Sequence, residues 1–268
     1  MATPKHPSPT KAIAPEPKPK VNKKSVVWYI VFALAWVLVS MIASQYVIAL
    51  PMVALLSEKI TQPLWTCIYD ALVYLLALAL VVFVPPLLWH TYQKSHSKQP
   101  KDSDNPLSTN RDELGVQKLP TFVDIGLAPI GYVVYMVIAT ALTTFMSIFT
   151  WFNPEEAQDV GFSYFISGFD RVIAMIALVI IAPLAEEIIM RGWLYGKVRS
   201  KLKVIPAILL VSVLFGLLHG QWNVAVSTFA LSIVLCGLRE IPGTIWSGVL
   251  LHMLSNGIAF YLLYIAGI

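Results

Sequence analysis

Long apolar blocks broken by short polar intervals dominate the chain. The blocks run at roughly Val26–Leu50, Leu64–Trp89, Val123–Trp151, Arg171 past Glu187, Val204–Leu218, Val224–Leu238 and Thr244–Ile265. They are apolar on all sides, with neither the one-sided stripe of a surface helix nor the alternation of a half-buried strand. A run of about 20 apolar residues crosses the hydrocarbon core as a helix. Only helices and closed barrels satisfy their backbone there, and these runs are too long for barrel strands. The pattern predicts an all-α, polytopic membrane protein of about seven transmembrane helices, or eight if one segment is split or re-entrant. The first block is too long for a signal-peptide core and lacks a clear cleavage site, so it reads as a retained anchor.

Composition supports this class. Of 268 residues 57% are apolar and 13% charged, against roughly half and a quarter in soluble domains, and the mean hydropathy is +0.71. Three regions follow. Residues 1–25 carry Lys5, Lys11, Lys18, Lys20, Lys23 and Lys24 among prolines. Such a composition builds no core and predicts a disordered tail that sets topology or touches anionic lipid. Residues 26–169 hold the first three spans and a polar loop at 90–121, and residues 170–265 hold the rest. Lysine and arginine gather in the tail, in the 90–121 loop and around Arg199, so the N-terminus is expected in the cytoplasm and the C-terminus outside. An integral membrane location follows, in the plasma membrane if the source is prokaryotic. Lipids and a membrane-associated peptide or protein are the expected partners, with no nucleic acid. Cys67 and Cys236 both fall in apolar blocks, without metal or disulfide spacing.

Ionisable groups in a bilayer are costly and usually functional. Here they cluster late in the chain, as Glu186, Glu187, Arg191, His219, His252 and Asn256. On a helix Glu187 and Arg191 are four apart and face each other, with Arg191 able to reach toward the cytoplasmic interface. Glu186 is turned about 100° away and is left without its obvious partner, which suits a general base. Pro183 should loosen the helix just before it. If the fourth and fifth blocks form a hairpin turning near Lys203, Glu186 and His219 lie at one depth, with Phe215 beside the His219 ring and Gly216 permitting close helix approach. His252 and Asn256 are also four apart on one face, donors suited to a developing oxyanion. The bland reading of each group is a packed histidine or an inter-helix ion pair. Asp70 and Asp170 read as boundary or helix-contact residues.

Taken together, Glu186-Glu187 with Arg191, Phe215 with His219, and His252 with Asn256 resemble the motifs of the CPBP family, the CAAX proteases and bacteriocin-processing enzymes also called Abi. The resemblance covers about Arg171 to Phe260 and implies an intramembrane endopeptidase. In eukaryotic and archaeal relatives the substrate is a prenylated CAAX tail cut in the cytoplasm-facing membrane. By this resemblance Glu186 is the base, His219 holds the attacking water with it, and His252 and Asn256 hold the oxyanion, supported by Glu187, Arg191 and Phe215. No metal is firmly implied. If zinc is bound, Glu186, His219 and His252 are the candidate ligands, although the His-Glu-x-x-His arrangement is missing. Two other functions remain open at this point, a non-catalytic immunity or scaffold protein and a transporter.

Overall fold

The computed structural model describes residues 23–56, 63–95, 109, 111–156 and 168–266. Those residues form eight helices and no strand. They are α1 Lys23–Leu56, α2 Pro63–Ser95, the single turn α3 Arg111–Leu114, α4 Phe122–Met146, α5 Gly168–Arg199, α6 Val204–Leu217, α7 Trp222–Glu240 and α8 Trp246–Ala266. The 1–25 tail lies almost wholly outside the described residues, as does much of the 90–121 loop.

Six of the helices are long and apolar enough to cross a membrane. The seventh predicted span, α6, has 14 residues, a length of about 21 Å against a hydrocarbon core of about 30 Å. It forms the shorter arm of a hairpin with α7. By contrast α1, with 34 residues, measures about 51 Å and must tilt or project beyond the core. Leucines, valines and isoleucines are exposed along α1, α2 and α4, the surface expected of a bundle whose solvent is lipid.

Packing is organised around α5, which touches α1, α2, α3, α6, α7 and α8. On one side of it α1 pairs with α2, and on the other α4, α7 and α8 pack together. The α6–α7 hairpin is tight because Gly216 has no side chain. A Cβ there would lie 2.7 Å from the Ala225 carbonyl oxygen. At the opposite end of the hairpin from its turn, residues 111–121 form a strap across α5. A Cβ on Gly192 would sit 2.8 Å from the Leu114 carbonyl oxygen, and Gly115, at φ +71°, adopts a backbone conformation that L side chains rarely reach. Asp124 fixes the start of α4 by accepting from the Thr121 backbone and hydroxyl at 2.8 and 2.7 Å. It also ties α4 to α8 by accepting from Ser247 at 2.6 Å.

The loosening expected at Pro183 takes a definite form. Before it, Ile176–Ile181 is wound as a π-helix, and Ala182 N–H bonds the Ala177 carbonyl five residues back. A second π segment, Ile188–Leu194, follows the glutamate pair. Such wide turns inside α-helices often mark functional positions, and these two bracket Glu186 and Glu187.

Candidate active site

Glu187 lies at the centre of a dry ion network. Its side chain is fully buried, with Oε1 2.9 Å from Arg191 Nη1 and 3.0 Å from His252 Nδ1. Gly248 makes room for it, since a Cβ there would meet Glu187 Oε2 at 3.0 Å. Arg191 is equally buried, its guanidinium carbon 4.3 Å from the centroid of the Phe215 ring. The sequence expectation that Arg191 would reach toward the interface is therefore corrected. A guanidinium sealed between a carboxylate and an aromatic face keeps its charge compensated without water.

Glu186 points the other way, into a cavity, with 14% of its side chain exposed. It is not unpartnered, as the sequence reading had it. The Tyr74 hydroxyl on α2 donates to Glu186 Oε1 at 2.5 Å. The second oxygen, Oε2, faces His252 Nε2 at 3.7 Å, too long for a direct hydrogen bond. Tyr74 was missed because nothing in an apolar α2 marks one tyrosine from its neighbours. Its only signal is a hydroxyl in mid-span that needs an acceptor.

His219 follows the last turn of α6. Its Nδ1 lies 2.8 Å from the Phe215 carbonyl oxygen. A carbonyl only accepts, so Nδ1 carries the proton and, in the neutral ring, Nε2 is left as an acceptor. Phe215 stands edge-on to both imidazoles, at 5.0 Å from His219 and 6.0 Å from His252. Asn256 spends one amide N–H on the Leu178 carbonyl at 2.9 Å, which anchors α8 to the π segment of α5. Neither His252 nor Asn256 is thus an uncommitted donor, and each keeps one further nitrogen function.

Tyr74, Glu186, His219, His252 and Asn256 all line one cavity of about 590 Å³ between α2, α4, α5, α7 and α8. Its walls carry further polar groups, including Tyr135 and Ser227, whose oxygens lie 2.7 Å apart. A smaller space of about 140 Å³ lies on the far side of Tyr74, Glu186 and His219, walled by Met41, Gln45 and Met190 among others. Asp70 and Asp170 line neither. Among the described residues no group of three or more His, Cys, Asp and Glu side chains is arranged to hold a metal ion. The possible zinc ligands Glu186, His219 and His252 do not form such a set, with His252 Nδ1 already committed to Glu187.

What the arrangement can do chemically is hold a water between two acceptors, Glu186 and His219 Nε2, on the wall of one cavity. Residues 168–258 match the family model described as Rce1-like, type II CAAX prenyl endopeptidase, consistent with the CPBP resemblance read from the motifs. Neither a curated protein nor a solved structure matches the chain.

Proposed function

We propose, taking the similarity of residues 168–258 to Rce1-like endopeptidases as the premise, that this membrane protein is an intramembrane endopeptidase that cuts a membrane-associated peptide or protein tail with a water activated by Glu186. The observation that carries the reading is the junction of Glu186, held by Tyr74, with an accepting His219 Nε2 on one cavity wall.

A water donating one O–H to Glu186 and the other to His219 Nε2 presents its lone pair to a substrate carbonyl. Glu186 removes the proton as the oxygen attacks the carbonyl carbon. The negative charge on the carbonyl oxygen is met by the Asn256 N–H not used by Leu178 and, when protonated at Nε2, by His252. As the tetrahedral centre collapses, the C–N bond breaks and Glu186 returns the proton to the leaving amine. Glu187 and Arg191 hold His252 in place without touching substrate. Tyr74 orients the Glu186 carboxylate and limits its motion.

A binding or immunity protein would need no water held between two acceptors, and a transporter would need two alternating openings. The deciding experiment uses purified full-length protein in proteoliposomes with a library of fluorescent membrane-anchored peptides. Cleavage is expected from the unaltered chain and expected to vanish in Glu186→Gln and His219→Ala while both stay folded. Cleavage at undiminished rate by Glu186→Gln would remove the glutamate mechanism.

A further inference from the structure

The lining of the cavity reaches from Glu186 toward one end of the bundle and not the other, and the charges at the two ends differ. Tyr195 and Arg199, at the end of α5, both donate to Glu240, at the end of α7. This pair of helix ends defines one face. Glu186 stands nine positions from Tyr195, about 13 Å along the helix. From that depth the cavity runs away from this face. Its remaining walls include Thr143 near the end of α4, Pro154 just beyond, Asn223 in the first turn of α7 and Leu263 in the last turns of α8. Asn223 is 17 positions from Glu240, about 25 Å along α7. The mouth is framed by aromatic rings of the kind that settle at a membrane–water interface, with Trp151 edge-on to Trp222 at 5.6 Å. The chain after α4 is tied there by Gln221 and Asn223, which donate to the Glu156 carbonyl at 3.1 and 2.7 Å.

Beyond the smaller space walled by Met190, the stretch of α5 that leads to the other face is closely packed. Trp193, Leu194, Tyr195 and Val198 are buried to within 1%. The strap is pinned over them. Arg239 donates to the Asp112 and Glu113 carbonyls at 3.2 and 3.1 Å, Lys197 pairs with Glu113 at 2.9 Å, and Ile245 N–H donates to the Gly115 carbonyl at 3.1 Å. Along the sequence, the basic residues gather next to the helix ends that form this face. Of 19 Lys and Arg residues, 16 come before or at the start of α1, between the last turn of α2 and the start of α4, around the α5–α6 turn, or at Arg239. Of the other three, Lys59 falls in the interval between α1 and α2, Arg171 lies in the first turn of α5, and Arg191 is buried in the network. Such a bias marks the sealed face as cytoplasmic.

We infer that the cavity is supplied from the non-cytoplasmic side, so that its substrate is a polypeptide segment already carried across the membrane and presented in the outer leaflet, and not a lipid-bearing tail on the cytoplasmic surface. The inference deepens the proteolytic reading and rests on it for the word substrate. The sidedness itself is independent of catalysis.

The test is labelling with a membrane-impermeant maleimide in intact and permeabilised cells. It uses the full chain carrying Glu155→Cys at the exposed rim, Ser255→Cys on the cavity wall, or Lys203→Cys on the sealed face. The unsubstituted chain is the control, since Cys67 and Cys236 are buried. Labelling of Glu155→Cys and Ser255→Cys in intact cells, with Lys203→Cys labelled only after permeabilisation, is the expected result. If Lys203→Cys is labelled in intact cells and Glu155→Cys is not, the orientation is reversed and the inference is overturned. If Glu155→Cys is labelled from outside but Ser255→Cys only after permeabilisation, the cavity opens to the cytoplasm and the inference is again overturned. None of these outcomes depends on whether Glu186→Gln abolishes cleavage, so failure of sidedness and failure of proteolysis are read separately.

Discussion

Replacing Glu187 by Ala removes the carboxylate that holds Arg191 at 2.9 Å and His252 at 3.0 Å. Both partners are almost or wholly buried, so water cannot take the vacant place. The guanidinium is then a charge without compensation in a dry interior, where breaking one side of a buried pair costs about 3–5 kcal/mol. Its contact with the Phe215 face, of order 2 kcal/mol when desolvated, does not offset that. For a chain of this size about 1 kcal/mol corresponds to roughly 2–4 °C in Tm, so Glu187→Ala should unfold roughly 6–20 °C early. The assay is thermal unfolding of purified protein in detergent, followed by loss of the monodisperse chromatographic peak. Glu187→Ala with Arg191→Leu should recover most of this loss, because replacing a whole buried pair by apolar groups is often close to neutral. The double variant should still cleave poorly, because His252 has lost the acceptor on Nδ1. A Glu187→Ala protein with unaltered Tm, or a double variant no more stable than the single one, would refute the uncompensated-charge argument.

Three further outcomes are expected. Tyr74→Phe keeps the ring and deletes the hydroxyl on Glu186, so peptide cleavage should fall about 10–100-fold with little change in Tm, as for loss of a catalytic positioning contact; unchanged cleavage would leave Tyr74 a packing residue. Gly216→Val puts side-chain carbon against the Ala225 carbonyl, and overpacking of this kind typically costs about 1–3 kcal/mol, to be read as a lower Tm, with an unaltered Tm counting against the close α6–α7 contact. Cleavage should survive treatment with 1,10-phenanthroline or EDTA, whereas zinc bound one-to-one, and loss of activity on its removal, would return Glu186, His219 and His252 to the status of ligands.

Much of this protein is legible without coordinates. The all-helical membrane class follows because uninterrupted apolar runs have no other stable form in lipid. Glu187 and Arg191 pair as the helical period requires, and Gly216 sits where two helices meet. Reading by period stops at the edge of one helix, however. It could not show that Tyr74, 112 positions away, donates to Glu186, nor that His252 leans on Glu187, because those partners arrive on other helices. Nor could hydropathy tell that α6 stops at 14 residues, since it records how apolar a segment is and not where its turn falls.

The chain by itself determined which side chains are too polar for lipid and must therefore find one another, and how the basic residues divide between the two ends. Tertiary structure alone decided which partners they found, which carboxylate is sealed and which faces the cavity, and toward which end that cavity opens. The physical reason is that burial cost is a property of each residue, whereas compensation and access depend on what the neighbouring helices bring to the same few ångströms.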